Sequence, residues 1–171
     1  MLNPQAILWL AAAALISACA QSTAPTAPAQ VTSKQEAAVA LQRQDYVTAE
    51  RLYRSLAEQG DASAQHFLGK MYESGEGMRR DPVEAAKWFR LAADQGHTGA
   101  QFYLGGMYAS GNGVPRDYVQ AYMWFDLSSE GSQEFFAAAS RSAVADKMTS
   151  AQIAEAQKLA SAWRLKRPDQ R

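Results

Sequence analysis

The chain has 171 residues, 47% of them hydrophobic and 20% charged, which suits one modest globular domain. Lysine plus arginine and aspartate plus glutamate balance at 17 each, so the formal net charge at pH 7 is zero. No basic stripe runs along the sequence, and this argues against the phosphate backbone of a nucleic acid as a partner.

Residues 1–18 are predicted to form a signal peptide. The apolar run from Ala6 to Ile16 is too short to span a bilayer comfortably, and it fits the core of a secretory signal. The positive segment that usually precedes such a core is absent, apart from the amino terminus itself.

Cys19, the only cysteine of the chain, follows the branched Ile16 and the small residues Ser17 and Ala18. This order resembles a bacterial lipobox, which implies cleavage before Cys19 and anchoring by lipids attached to it. Since Ala20 is not the aspartate linked to inner-membrane retention, the expected location is the periplasmic side of the bacterial outer membrane. The alternative is cleavage after Ala20, which would release a periplasmic or secreted protein without a lipid.

Residues 19–33 are predicted to be a disordered tether, because they carry no charge, show no periodicity and are rich in alanine, proline, serine and threonine. Residues 34–60 are predicted to form a degenerate, tetratricopeptide-like helix pair. Its first helix, Lys34–Gln44, would turn Ala37 and Ala40 inward.

A stretch of 36 residues then occurs twice, at 64–99 and 100–135, with 16 of the 36 aligned positions identical. A fixed period of this length is typical of a solenoid, in which each unit packs mainly on its neighbours. Such a stack leaves a long surface free for a partner.

Each copy predicts two helices joined by a loop. In the first copy Ala64, Leu68 and Tyr72 recur at helical spacing, and Gly75 follows them where a left-handed cap would end the helix. Asp81 precedes the second helix, whose free amides its carboxylate can cap. The same aspartate recurs as Asp45 and Asp117.

The order of these residues resembles the Sel-one-like repeat, a relative of the tetratricopeptide repeat. In the second copy the pattern is carried by Ala100, Leu104-Gly105, Met107-Tyr108, Gly111-Asn112-Gly113-Val114, Arg116-Asp117 and Ala121-x-x-Trp124-Phe125. The first copy departs from it with Met78-Arg79 where the second has Val114-Pro115. The resemblance implies an all-α, right-handed solenoid of antiparallel helix pairs, with repeats at 61–96 and 97–131.

Residues 132–166 are predicted to form two capping helices, Glu134–Lys147 and Ser150–Leu165, followed by a short tail at 167–171. The apolar stripe of the last helix ends at Trp163, which we expect to cover the open end of the core.

No catalytic constellation is visible. The two histidines, His66 and His97, lack a cysteine partner and the His-Glu-x-x-His spacing, so structural roles are favoured over a metal site. The loops at Gly75 and Gly111 lack the Lys-Ser/Thr of a phosphate-binding loop. Capping explains the recurring aspartates. The sequence therefore predicts neither an enzyme nor a cofactor.

Positions that differ between the two copies indicate a candidate partner-binding groove. In the first helix they include His66, Lys70 and Glu73, whose spacing places them on one face. Phe102, the counterpart of His66 in the second copy, is the natural apolar anchor. In tetratricopeptide-like solenoids the first helices line the concave side, where partners sit. An ordinary solvated face is the alternative.

These features predict a cell-envelope adaptor that binds a partner protein or peptide through the solenoid surface, without catalysis. Two alternatives stay open: a cell-envelope enzyme or enzyme subunit, for example one acting on peptidoglycan, and a secreted effector acting on a host. The sequence does not predict an oligomeric state.

Overall fold

The computed structural model describes residues 28–130 and 134–166. Contacts divide the chain into two units, Met1–Val31 and Thr32–Arg171, and the packing described below is that of the second. The described residues form α-helices and no strand. The helices are α1 Pro28–Gln42, α2 Tyr46–Glu58, α3 Ala62–Ser74, α4 Pro82–Asp94, α5 Thr98–Ser110, α6 Tyr118–Ser128, α7 Glu134–Ala145 and α8 Ser150–Leu165. The predicted all-α repeat fold is confirmed.

The start of α1 differs from the sequence prediction. The helix begins at Pro28 rather than Lys34, so the last residues of the expected tether are helical. Proline suits the first turn of a helix, where its missing N–H is not needed and its fixed φ is already helical. The remainder of the predicted tether, Cys19 and the signal peptide lie outside the described residues. Within the described part, no helix has both the length and the apolarity that a bilayer crossing requires.

Aspartates cap the second helix of the first three pairs, as predicted. Asp45 accepts a hydrogen bond from the N–H of Thr48 at 3.1 Å. Asp81 and Asp117 each accept two bonds from the first amides of their helices, at 2.9–3.1 Å. These amides have no partner inside the helix, so the caps define where α2, α4 and α6 begin.

Within each repeat the two helices approach closely at a glycine. A Cβ atom at Gly69 of α3 would lie 2.8 Å from the Phe89 ring of α4, and one at Gly105 of α5 would lie 2.9 Å from the Phe125 ring of α6. Both rings are buried. The glycine is therefore required because the aromatic ring occupies the space of a side chain.

Between repeats, residues shared by both copies make the contacts. Tyr72 of α3 accepts a hydrogen bond from Arg54 of α2 at 2.7 Å, and the guanidinium lies 5.8 Å from the ring centroid. Tyr108 and Arg90 repeat this pairing one unit later. The buried Gln65 donates to the carbonyl of Ala57 at the end of α2. Each first helix is thus joined to the preceding second helix by the motif itself.

The second glycine of each loop is required because the loop lies directly against the preceding repeat. Gly77 has φ +74°, and a Cβ there would lie 2.0 Å from the Cβ of Tyr46 at the start of α2. Gly113 has the same φ, and a Cβ there would lie 2.1 Å from the carbonyl oxygen of Pro82 at the start of α4. A side chain at either position would be both strained and obstructed.

The carboxyl-terminal helices close the stack on α6. Both α7 and α8 pack against α6. Thr149 and Gln152 form a reciprocal capping box at the start of α8. Trp163 meets Trp124 edge to face with 6.4 Å between the ring centroids, and it packs against the core cluster shared by α4, α5, α6 and α8.

We expect Gly69→Leu to lower the free energy of unfolding by ~1–3 kcal/mol, because the new side chain must displace the Phe89 ring. Gly106→Leu is the matched control, since nothing lies within 4 Å of a Cβ at that helical position. Urea denaturation of the two variants and the wild type measures the difference. Equal midpoints for all three would show that the α3–α4 contact tolerates a side chain.

Candidate functional site

The residues predicted to form the groove lie on α3 and α5. His66, Lys70 and Glu73 follow one another along α3, and Phe102 is on α5. Lys70 is exposed, and the other three are half-buried. The structure brings His66 close to α5, but it packs Phe102 against α6. Whether a partner binds over these residues stays a prediction.

His66 lies inside a group of rings. Its centroid is 4.5 Å from that of His97, with which it stacks, and 5.5 to 6.0 Å from those of Phe67, Phe89 and Tyr103. Its Nε2 atom is buried and has no hydrogen-bond partner among the described residues. His66 therefore acts as a packing residue that joins α3, α4 and α5.

Burial is the main cause that lowers the pKa of His66 from its ordinary 6.5 to about 3, and electrostatic interactions with His97 and Lys70 contribute to the shift. The ring is consequently neutral at physiological pH. The pKa of His97 is lowered as well, again chiefly by burial.

His97 occupies the N-cap position of α5. Its Nδ1 accepts a hydrogen bond from the N–H of Ala100 at 3.1 Å, as Asp61 does from Ala64 one repeat earlier. A ring nitrogen that accepts cannot carry a proton, so this contact requires the deprotonated Nδ1. The residue marks the beginning of α5 rather than acting as a cation at the end of α4.

Lys70 and Phe102 both lie close to the Tyr103 ring. The Nζ of Lys70 lies 5.9 Å from the centroid of the Tyr103 ring, and the Phe102 ring meets it edge to face at 6.2 Å. Phe102 also lies 5.6 Å from Phe125 of α6. Part of the apolar surface of Phe102 is thus used in the fold, and the rest faces solvent.

Phe67 and Tyr103 extend this surface and were not predicted from the sequence. Tyr53 of α2 stacks on Phe67 of α3, and Phe89 of α4 stacks on Tyr103 of α5, each with 5.0 Å between the ring centroids. We call the half-buried residues His66, Phe67, Phe102 and Tyr103 the aromatic row. The signal was present, because the members of each stack recur at a spacing of 36 residues as aromatics that are not identical.

The acidic and histidine side chains of the described residues were compared with the requirements of a metal site. No group of three or more histidine, cysteine, aspartate or glutamate side chains with the geometry of a metal site occurs within residues 28–130 and 134–166. Asp126 of α6 is paired with Arg141 of α7 and with Arg164 of α8, so its carboxylate is used in closing the stack.

Comparison with known proteins shows that the chain is similar to Sel1 repeat proteins. The family model of the Sel1 repeat matches residues 41–61, 62–97 and 98–132. None of the curated proteins matches the chain.

Two solved structures are similar. One is c5321, a protective antigen of uropathogenic Escherichia coli strains displaying an SLR fold, with a TM-score of 0.74 and 33% identity over 79% of this chain. This chain covers 30% of that protein's length. The other is a Sel1 repeat protein from Oxalobacter formigenes, with a TM-score of 0.48 and 34% identity, covering 50% of this chain and 34% of that one.

We expect the stability of the fold to fall in mild acid because of His66. Its pKa is about 3 in the folded chain against an ordinary 6.5, so between these values only the unfolded state takes up the proton. The contribution is complete above pH 6.5 and is lost as the pH falls, by at most about 1.4 kcal/mol per pH unit.

His66→Phe, which introduces the residue of position 102, should remove this dependence. From about pH 7.5 to about pH 5, the wild type should lose about 2 kcal/mol more stability than the variant. Urea denaturation at both pH values measures this difference. Parallel losses in the two proteins would mean that His66 is protonated as readily in the folded state as in the unfolded state.

Proposed function

The chain belongs to the Sel1 repeat family, and from this premise we propose that it is a cell-envelope adaptor that binds a partner protein through the aromatic row and performs no catalysis. Sel1 repeats generally serve as scaffolds for protein–protein interaction. The location in the envelope, the surface used and the absence of chemistry are the parts specific to this proposal.

The proposal is supported by a difference between two sets of positions: those that are identical in the two copies and those that are not. The residues shared by both copies, such as Gly69, Gln65 and Tyr72, are consumed by packing. The aromatic row lies at positions where the copies differ, and its members keep part of their surface in solvent. Half-exposed aromatic rings next to a cation are the composition of a binding hot spot.

The charges of this surface define the partner's chemistry. His66 is neutral, so Lys70 and Glu73 supply the charge near the row. Lys70 is exposed and already lies over the Tyr103 ring. A segment with apolar side chains for the rings and a carboxylate for Lys70 would complement the row.

The location is supported by the sequence and by one relative. The lipobox-like residues ending at Cys19 favour a lipid anchor in the outer membrane, and cleavage after Ala20 would give a periplasmic or secreted form instead. The Escherichia coli relative is a protective antigen, a property that fits a protein exported to the envelope or beyond it.

We expect a Lys70→Ala, Phe102→Ala double variant to lose partner capture by about thirtyfold or more, the loss of a typical hot-spot side chain. Crosslinking in intact cells, followed by quantitative mass spectrometry, measures this loss. Arg51→Ala with Val47→Ala is the matched control, because both residues are exposed on α2, away from the row.

Because Phe102 also packs on Phe125, the single variant Lys70→Glu is measured beside the double variant. It changes only an exposed side chain. Unchanged capture by both variants, with melting temperatures that show folded protein, would exclude the aromatic row as the binding surface.

We expect the mature protein to begin at Cys19, to carry acyl groups and to fractionate with the outer membrane. Cys19→Ser should abolish the acyl mass and move the protein out of that fraction, because the anchoring thiol is gone. Mass spectrometry of the intact chain, with membrane fractionation, reads both results. An unmodified mature chain starting at Gln21 would contradict the anchor and favour the secreted form.

A further inference from the structure

The outer side of α4 carries an apolar groove of about 430 Å³. Val83, Ala86, Lys87, Arg90, Leu91 and Asp94 line it, together with the loop at Gly113. Val83 is 55% exposed and Leu91 is 49% exposed, which is high for large apolar side chains. We call this surface the α4 groove.

The same surface one repeat later is covered. The six α4 positions correspond, 36 residues on, to Val119, Tyr122, Met123, Asp126 and Leu127 of α6 and to Glu130 just after it. Helix α8 packs on this side of α6. Leu127 is consequently 2% exposed, whereas the equivalent Leu91 is 49% exposed. The chain itself therefore shows which kind of element fits this face.

Helix α8 contacts α6 through three residues on one side of the helix. Ala156 and Ala160, one turn apart, are fully buried and let the two helices approach closely. Arg164, one turn further, contacts Asp126 at 3.0 Å and Glu130 at 2.6 Å. Two small residues and one charged residue at i, i+4 and i+8 thus form the stripe that α8 presents.

Of the two acidic positions that Arg164 contacts, one is reversed on α4 and the other is kept, since Asp94 stands where the next repeat has Glu130. Arg90 stands where α6 has Asp126, and Lys87 stands where α6 has Met123. Both cations are exposed. An α8 helix from a second copy would keep an acidic neighbour for Arg164 in Asp94 but would exchange its pairing with Asp126 for a like-charge contact with Arg90, which disfavours that occupant relative to one that carries a carboxylate there.

The equivalent face of α2, one repeat earlier, is less apolar. On α2, Glu50 and Ser55 replace Ala86 and Leu91, and Glu50 accepts a hydrogen bond from Arg54. Of the three second helices α2, α4 and α6, only α4 offers an apolar face that is both open and flanked by cations.

We propose that the α4 groove docks an amphipathic helix of a partner protein that presents two small residues and a carboxylate at i, i+4 and i+8. The small residues lie between Val83 and Leu91, as Ala156 and Ala160 lie on α6. The carboxylate pairs with Arg90, since Lys87 already has Glu84 as its partner at 2.7 Å. This surface is separate from the aromatic row on α3 and α5, so either can fail without the other.

Two synthetic peptides test the proposal. One has the sequence of α8, Ser150–Leu165, and the other carries Arg164→Glu. Both peptides must form a short helix when they bind. Glutamate is less favourable than arginine near the carboxyl end of a helix, so helix formation alone would favour the α8 peptide and cannot produce the opposite preference. Fluorescence anisotropy with the full mature chain measures their affinities.

The Arg164→Glu peptide should bind about tenfold more tightly than the α8 peptide, and Arg90→Glu in the protein should reverse that preference. Leu91→Glu should abolish binding, whereas Val47→Glu, at the exposed equivalent of Val83 on α2, should leave it unchanged. Equal affinity of the two peptides would overturn the proposal. So would failure of the Arg164→Glu peptide to bind at about 1 mM, or the same affinity in the Arg90→Glu protein.

Discussion

The fold depends on one ring of α4 that makes two contacts. Phe89 fills the space above Gly69 of its own repeat, and its ring also stacks on Tyr103 of the next repeat. The first contact brings α3 and α4 together, and the second sets where α5 lies on α4. Since one side chain makes both contacts, the geometry within a repeat and the geometry between repeats cannot vary independently. This is why a solenoid of small units can still be rigid.

Identity between the copies was sufficient to predict the framework. Gly69, Asp81 and Gly75 each recur, and their roles follow from sterics, capping and a left-handed backbone that any repeat of this length would need. The aromatic row was harder to predict, because Phe67 and Tyr103 are equivalent without being identical. A comparison that counts only identities discards such pairs, although the physical requirement for a flat, large ring is the same at both positions.

Two other features, the histidine cap of α5 and the position of α8, could not be predicted from the sequence, for different reasons. His97 stands at a cap position filled by Asp61 in the earlier repeat, and a histidine can replace the carboxylate only as a neutral acceptor, which burial provides. The position of α8 depends on which neighbour its apolar stripe meets. Ala156 and Ala160 indicate which side of the helix is buried, but periodicity does not state whether α6 or α7 covers them.

In a protein built from copies, information about partners lies in the departures from the repeat. Positions such as Gly105 and Tyr108 are held by packing, so a change there affects stability before it affects recognition. The exposed equivalents are free to differ, and they do. The position that carries Asp126 on α6 carries Arg90 on α4, and the same helix face is closed by the chain's own α8 in one repeat and open in the other. The shared framework therefore carries different side chains on equivalent faces, and one of these faces completes the fold while the other stays open to solvent.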